Sequence, residues 1–395
     1  MNIENRVNEL FQQLVEIRRD FHMYPEISEN EHRTSDKICE YLNKWGIEYQ
    51  KGVAETGVVA IVRGKKSGKT VAARADIDAL PIIEKNNLSF KSVNEGVMHA
   101  CGHDVHTTIH LGVAKLFKEM EDELEGNVKI FFQPAEETIG GADRMIKEGC
   151  LKNPDVDYVA SLHLMPYMDA GYVELKYGKL NAATNEFTIR IKGKSGHAAY
   201  PEQSIDSIVI AGYIITSLQT LVSRNVSPLN SVVVTLGQIN GGTKNNVIAG
   251  EVIMSGTLRT LDPDTRIYAK ERIKEIVENT AKVHGGSGTV EFEEGYPALI
   301  NNDQVVEVLK EIAEDTLGSD KITFKEFPSM GADDFSFFCE EVKGVYYNLG
   351  CGNKAKGWTS PIHTGEFMVD EECIKTGVIL QTELMIELLK GDDLK

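Results

Sequence analysis

An α/β fold interrupted by a smaller inserted unit is what the order of apolar patterns in this 395-residue chain predicts. Three observations carry that prediction. Both ends of the chain alternate helical periodicity with short runs rich in Val, Ala and Ile, the pattern of a sheet covered by helices. The middle reads β-α-β-β-α-β, a ferredoxin-like order. The helix–strand alternation then resumes, so the middle block is an insert. The expected architecture is a large α/β domain with a mixed sheet, built from residues 1–184 and 294–395, with the ferredoxin-like unit at 185–293.

Val7 to Phe21 carries apolar residues at helical spacing, and His32 to Trp45 does so again after Pro25. Gly57 to Arg63 and Thr70 to Ala75 are apolar runs separated by a Lys/Gly turn, and read as adjacent strands. The second run closes on two acids, Asp76 and Asp78. Carboxyl ends of strands in an open α/β sheet are where ligands bind, although Asp78 also suits a turn ahead of Pro81. Thr107 to Met120 holds Ile109, Val113, Leu116 and Phe117 on one helical face, with Asp104 as the expected N-cap. Asn127 to Phe132 is a strand that runs straight into Gln133-Pro-Ala-Glu-Glu137, two acids that a solvated turn would also explain. Gly140 to Gly149 reads as a short helix, and Tyr158 to Leu162 as a strand ending on His163.

Within the insert, Phe187 to Ile191, Val232 to Ile239, Val247 to Leu258 and Thr289 to Phe292 read as strands. Ser204 to Val222 and Arg266 to His284 read as its helices. The chain then returns through helix Gln304 to Leu317, strands Ile322 to Lys325 and Val345 to Leu349, and helix Cys373 to Leu389. Two loops interrupt it: Gly331-Ala-Asp-Asp-Phe-Ser336, a turn and helix start, and Ser360-Pro-Ile-His-Thr-Gly365. Taken alone, His363 in the second is an ordinary loop histidine.

A formal net charge of −18 without a basic patch points away from nucleic acid and anionic membranes. Cysteines at 39, 101, 150, 339, 351 and 373 lack the spacing of a disulfide framework. Met1 to Leu10 has no apolar signal segment, and no uninterrupted apolar run is long enough to span a bilayer. A cytoplasmic protein with reduced thiols is expected.

The chemistry gathers at Met98-His-Ala-Cys-Gly-His-Asp-Val-His-Thr-Thr-Ile-His110. Thiol, imidazole and carboxylate groups of this kind bind soft and borderline divalent metals. Gly102 permits the turn that points Cys101 and His103 the same way. His106 and His110 could imitate a two-His metal pair, but Thr107 stands where such a metalloprotease helix carries glutamate. On its own the stretch reads equally as a metal site or a His-rich helix start, and a Cys101 nucleophile with a His partner also stays open. The rest of the chain tips the balance, because three strands end on Asp76, Glu136/Glu137 and His163. Cys101, His103, Glu137, His163 and His363 are too many donors for one tetrahedral catalytic ion. They suit two ions about 3.5–4 Å apart. Glu136, beside Glu137, is placed to take a proton from an attacking water as general base.

The motifs Arg74-Ala-Asp-Ile-Asp-Ala-Leu-Pro81, Met98-His-Ala-Cys-Gly-His-Asp104, Gln133-Pro-Ala-Glu-Glu137, Ser195-Gly-His197-Ala and Gly331-Ala-Asp-Asp334 resemble the metal-dependent amidohydrolases of N-acyl amino acids. That family includes hippurate hydrolases, auxin–amino-acid conjugate hydrolases and N-acetyldiaminopimelate deacetylases. The likeness covers essentially the whole chain in the right order. It implies that Cys101, His103, Glu137, His163 and His363 hold two divalent ions, zinc or manganese, and that Glu136 is the base. It implies that the insert is a lid that mediates a homodimer or higher homo-oligomer. There His197 reaches the oxyanion while Asn246 and Arg259 hold substrate, commonly across the dimer. The implied reaction cleaves the amide of an N-acyl L-amino acid, N-acetyl or aromatic acyl, to a carboxylate and a free amino acid. A dipeptidase or metallocarboxypeptidase on the same scaffold is the alternative. A non-catalytic relative would usually lack a donor or the base, and none is missing here.

In the wider clan of aminoacylases and metallocarboxypeptidases, a His-x-Asp ends the strand and an aspartate bridges the ions. Arg74-Ala-Asp76 replaces the first, and Cys101-Gly-His103 sits near the second. Asp76 is therefore expected to orient a ligand. Sulfur favours zinc, whereas carboxylate and water suit manganese.

Overall fold

The computed structural model describes residues 1–391 and divides into two compact units. One comprises Met1–Gly178, Ile300–Glu326 and the chain from Asp334 onward; the other comprises Lys179–Leu299 and Phe327–Asp333.

The first unit is built on an eight-stranded sheet. Its strands run, edge to edge, Glu48–Val53, Gly57–Arg63, Glu125–Gln133, Lys66–Asp76, Tyr158–Asp169, Lys343–Gly352, Val173–Leu175 and Ile322–Phe324. The four strands from Glu125–Gln133 to Lys343–Gly352 pair in parallel, and the flanking pairs include antiparallel ones. The sheet is thus mixed, with a parallel centre. Central parallel strands are covered on both faces and therefore read as near-continuous apolar runs; Val71, Ala72, Ala73 and Ala75 are all buried. Helices Ile3–Met23, His103–Glu119, Asp303–Leu317 and Cys373–Lys390 bury their apolar faces in the same core. The register aligns Asp76 with Gln133 and His163 with Asn348. The carboxyl ends of two central strands therefore present Asp76 and the Gln133–Glu137 segment, and His163, within the neighbouring strand, stands level with Asp76.

The second unit is a four-stranded antiparallel sheet in the order Val232–Gly241, Glu251–Thr260, Ala183–Lys192, Ser287–Glu294. Helices Ser207–Thr220 and Pro263–Val283 enclose a separate core with it. In chain order that is the split β-α-β arrangement expected of the insert.

Four local expectations change. The run Val247 to Leu258 is two strands, Val247–Ile248 and Glu251–Thr260, broken at Ala249-Gly250. The strand containing His163 continues to Asp169 rather than ending there. Asp104 is not the N-cap; Gly102, left-handed at φ 89°, holds that position. Finally, Gly57–Arg63 and Lys66–Asp76, read as adjacent strands, are separated in the sheet by Glu125–Gln133. The helical stretch Ser207–Asn225 is long and apolar enough by composition to cross a membrane, and as expected it holds no uninterrupted apolar run of that length. Thr216, Ser217, Gln219 and Thr220 interrupt it, and its inward residues Ile210, Ala211, Ile214 and Leu218 pack in the insert's own core.

Candidate metal centre

Gly102 sets the centre's geometry. Its positive φ turns the chain sharply between Cys101 and His103, and a Cβ there would meet Leu164 Cδ1 at 2.7 Å. Both flanking side chains are consequently delivered to one buried point. The Cys101 sulfur lies 3.3 Å from His163 Nε2 and 3.3 Å from His363 Nε2. His363 Nε2 is 3.2 Å from Glu137 Oε1, which is 3.9 Å from His103 Nε2. Residues from four separate stretches therefore converge. His363 itself has φ 61°, and its backbone N–H donates to the Ala100 carbonyl at 2.8 Å, tying the loop beside Cys101.

The rings are oriented from behind. His163 Nδ1 bonds the Leu164 carbonyl at 2.9 Å, leaving Nε2 to face the sulfur. His103 Nδ1 faces the Asp78 carbonyl oxygen at 2.9 Å and Asp78 Oδ1 at 3.2 Å. His103 Nε2 is buried without a hydrogen-bond partner among the described residues. A buried donor atom left unpaired and aimed at a thiol and a carboxylate is what a metal ligand looks like without its ion. Three overlapping donor sets meet here: Cys101/His103/His163, Cys101/Glu137/His363 and His103/Glu136/Glu137. Imidazole, thiolate and carboxylate fit divalent zinc or manganese.

Charge agrees with geometry. Burial alone would lower the His103 imidazole, but Asp76, Asp78 and Glu137 outweigh it and push it up to about 10. A site that holds an extra proton so tightly has surplus negative charge for a cation to neutralise. Burial, together with Glu137, Glu136 and Asp76, holds the Cys101 thiol well above its ordinary value. Such a thiol is a poor nucleophile, which weighs against the reading of Cys101 as an attacking group. Burial would raise the Glu137 carboxyl, but the His363 hydrogen bond and the His103 charge keep it low.

The other expected residues separate into groups. Glu136 is nearly buried, and its carboxylate lies within 4.8 Å of donor atoms of His103 and Glu137. Asp76 is buried, but its hydrogen bonds go to His106 Nδ1 at 2.6 Å and Arg74 Nη1 at 2.7 Å; His103 Nε2 is 3.6 Å away. Orientation of His103 falls instead to Asp78, whose Oδ2 also accepts from Ser28 Oγ at 2.7 Å and Glu137 N at 3.1 Å. The alternative of Asp78 as a mere turn former understated it. His106 spends both ring nitrogens, donating to Asp76 and accepting from Leu164 N at 3.2 Å. His110 Nδ1 bonds the His106 carbonyl at 2.8 Å, so the imitated two-His pair is structural. Asp104 faces away, with its Oδ2 2.8 Å from both His22 Nδ1 and Arg18 Nε.

His197, Asn246 and Arg259 lie in the second unit. The first two are neighbours: His197 pairs with Val247, and Ala198 N donates to the Asn246 carbonyl at 3.1 Å. Arg259 pairs with Thr184, toward the opposite end of the sheet from Glu251. A rise of about 3.3 Å per residue puts it roughly 26 Å along its strand from Glu251. Within this unit, then, Arg259 does not converge with the other two.

Residues 72–387 match the model of peptidase family M20/M25/M40. The chain belongs to that family. It is 38% identical over 389 residues to thermostable carboxypeptidase 1 of Saccharolobus solfataricus, covering 98% of each chain. It is 39% identical over 365 residues to the N-acetyl-L-cysteine deacetylase of Bacillus subtilis, covering 92% of this chain and 85% of the relative. The crystal structure of the Bacillus subtilis YXEP protein, a dinuclear metal-binding peptidase of the M20 family, superposes with a TM-score of 0.85 at 32% identity, over 97% of this chain and 99% of that one. This member of the M20/M25/M40 family is accordingly a metal-dependent amide hydrolase.

Proposed function

We propose that Cys101, His103, Glu137, His163 and His363 hold two divalent ions and that the centre hydrolyses the amide of N-acyl L-amino acids, with an N-acetyl or aromatic acyl group. The observation that carries this reading is the buried Cys101 sulfur flanked at 3.3 Å by two imidazole nitrogens, His163 Nε2 and His363 Nε2. Zinc or manganese would supply Lewis acidity toward the amide carbonyl and the attacking water. The thiol favours zinc.

The chain's own residues do the rest. Glu136 takes the proton of the attacking water and returns it to the departing nitrogen. Asp78 fixes the tautomer of His103 from behind, and Asp76 supports the wall through His106. His197 donates to the developing oxyanion, Asn246 hydrogen-bonds substrate, and Arg259 pairs with the free carboxylate. The separation of Arg259 from His197 supports a homodimer in which one centre draws on the lids of both protomers. We assign residues 1–184 and 294–395 to the catalytic domain and 185–293 to the lid, in a cytoplasmic protein whose partner is a small N-acyl amino acid, not nucleic acid or membrane.

The deacetylase relative supports the N-acyl substrate class; the carboxypeptidase relative supports a dipeptidase or carboxypeptidase reading. A panel of N-acyl amino acids against dipeptides, run with zinc and manganese, separates them. Chelator treatment should abolish activity and either ion should restore it. Glu136→Gln should keep its metals and lose roughly 10²–10⁴-fold in turnover. Full activity in metal-free protein would sink the two-metal reading, and turnover within a few-fold of the parent would remove Glu136 as the base.

A further inference from the structure

Glu136 and Glu137 stand on a loop whose conformation is costly. Between strand Glu125–Gln133 and helix Ala142–Lys147 the chain reverses through Ala135, at φ 56°, and Gly140, at φ 78°. A residue with a Cβ rarely adopts such an angle, and it persists only where the surroundings hold it. The neck of the loop is pinched. Gly140 N donates to the Ala135 carbonyl at 2.9 Å, and a Cβ on Gly141 would lie 2.0 Å from the Pro134 oxygen.

One carboxylate clamps that neck. Asp334 is fully buried, and its Oδ2 accepts from Gln133 Nε2 at 2.7 Å on one limb and from Ala142 N at 3.0 Å on the other. Its Oδ1 accepts from Arg74 Nη2 at 2.6 Å. Arg74 in turn donates through Nε to Gln133 Oε1 at 2.7 Å and through Nη1 to Asp76. A single side chain thus joins the two ends of the glutamate loop to the strand that ends at Asp76.

We propose that Asp334 is a positioning residue that fixes the loop bearing Glu136 and Glu137 in its working geometry. The proposal rests on the two-metal reading for what the loop does, and on the hydrogen bonds above for how it is held. Buried hydrogen-bonded partners standing behind metal ligands typically matter by about 10–100-fold in metal affinity. A small displacement of the base lowers turnover without weakening substrate binding.

Asp334→Asn tests it, because the amide can offer its oxygen to the loop neck or to Arg74 but not to both. In a variant shown to be folded by circular dichroism, zinc affinity measured by chelator competition should fall about 10–100-fold. In metal-free variant protein, amide hydrogen exchange at residues 135–141 should accelerate, and in the zinc-loaded enzyme kcat should fall at nearly constant KM. A purely structural Asp334 would lower Tm and leave those three readouts at the parental values, which would overturn the proposal. Should Asp334→Asn fail to fold, Gln133→Met removes one limb of the clamp and keeps the Arg74–Asp334 pair. The same loss of zinc affinity is expected there, and parental affinity would again overturn the idea. Chelator-treated parent and Glu136→Gln run alongside keep the two questions apart. If those retain full activity the catalytic reading fails, whereas exchange in the loop reports on the clamp regardless.

Discussion

Replacing Asp78 by Asn probes how much of the metal affinity is built behind the ligands. The carboxylate has two oxygens and three donors to serve: His103 Nδ1 at 3.2 Å, Ser28 Oγ at 2.7 Å and Glu137 N at 3.1 Å. An amide nitrogen in the Oδ2 position would face the Glu137 N–H, donor against donor. In the Oδ1 position it would face His103 Nδ1, where the backbone carbonyl at 2.9 Å still accepts. The second placement is cheaper, so the variant should fold with Glu137 in place and His103 weakened as a ligand. Loss of a carboxylate behind a metal-bound histidine costs about 10–100-fold in affinity, or about 1.4–2.7 kcal/mol. The surviving carbonyl places the expectation at the lower end, near tenfold. Competition against a chromophoric chelator measures it, with Tm in excess chelator as the check on folding. A folded Asp78→Asn protein with parental zinc affinity would refute the argument that Asp78 orients His103.

Metal loading should release protons. With the Cys101 thiol held well above its usual range and His103 pushed up to about 10, both are protonated at neutral pH in metal-free protein. Ligands bind deprotonated, so about two protons should leave per centre, and affinity should rise with pH until those groups are already deprotonated. Calorimetry in buffers of different ionisation enthalpy reads the count; zero release near neutrality would contradict the assignment. His197→Ala should lower kcat by about 10²–10³ with metals intact, whereas Arg259→Ala should chiefly raise KM for substrates with a free carboxylate. Mixing Glu136→Gln with His197→Ala protomers should recover up to about a quarter of parental activity if lids serve the partner's centre. A stable mixed dimer with no recovery means that each lid serves its own.

Much of this was legible in the sequence because burial leaves a periodic trace. The run Val71 to Ala75, apolar apart from Arg74, announced a buried strand, and Ile109, Val113, Leu116 and Phe117 announced a buried helix face. The candidate donors were legible as a set rather than singly: a solvated turn would explain Glu136 and Glu137, and His363 alone is an ordinary loop histidine, but the structure brings Cys101, Glu137, His163 and His363 together. What stayed hidden are the contacts between distant parts of the chain. Asp104 reads as a cap by local rules, yet it is claimed by Arg18 and His22 from the first helix. Asp76 and Asp78 are two residues apart, and only the fold decides that His106 meets the first and His103 the second. Glu31 accepts from Ala135 N at 2.9 Å, and Asp334 clamps the same loop; neither lies in a pattern that refers to it. Ala249-Gly250 breaks a run that looked like one strand, because an apolar count does not register a change of partner.

The donors around the Cys101 sulfur are far apart along the chain, and a ribosome makes them in order. At about 5–20 residues per second, His363 is made roughly 10–40 seconds after His163. During that interval a nascent chain offers Cys101, His103, Glu137 and His163 without the histidine that closes the set. The strand Lys343–Gly352, which lies beside the His163 strand at the centre of the sheet, is equally late. On the proposed ligand set, secure retention of metal belongs to the end of synthesis, and an ion that stays bound would report that the carboxy-terminal segment has taken its place in the sheet.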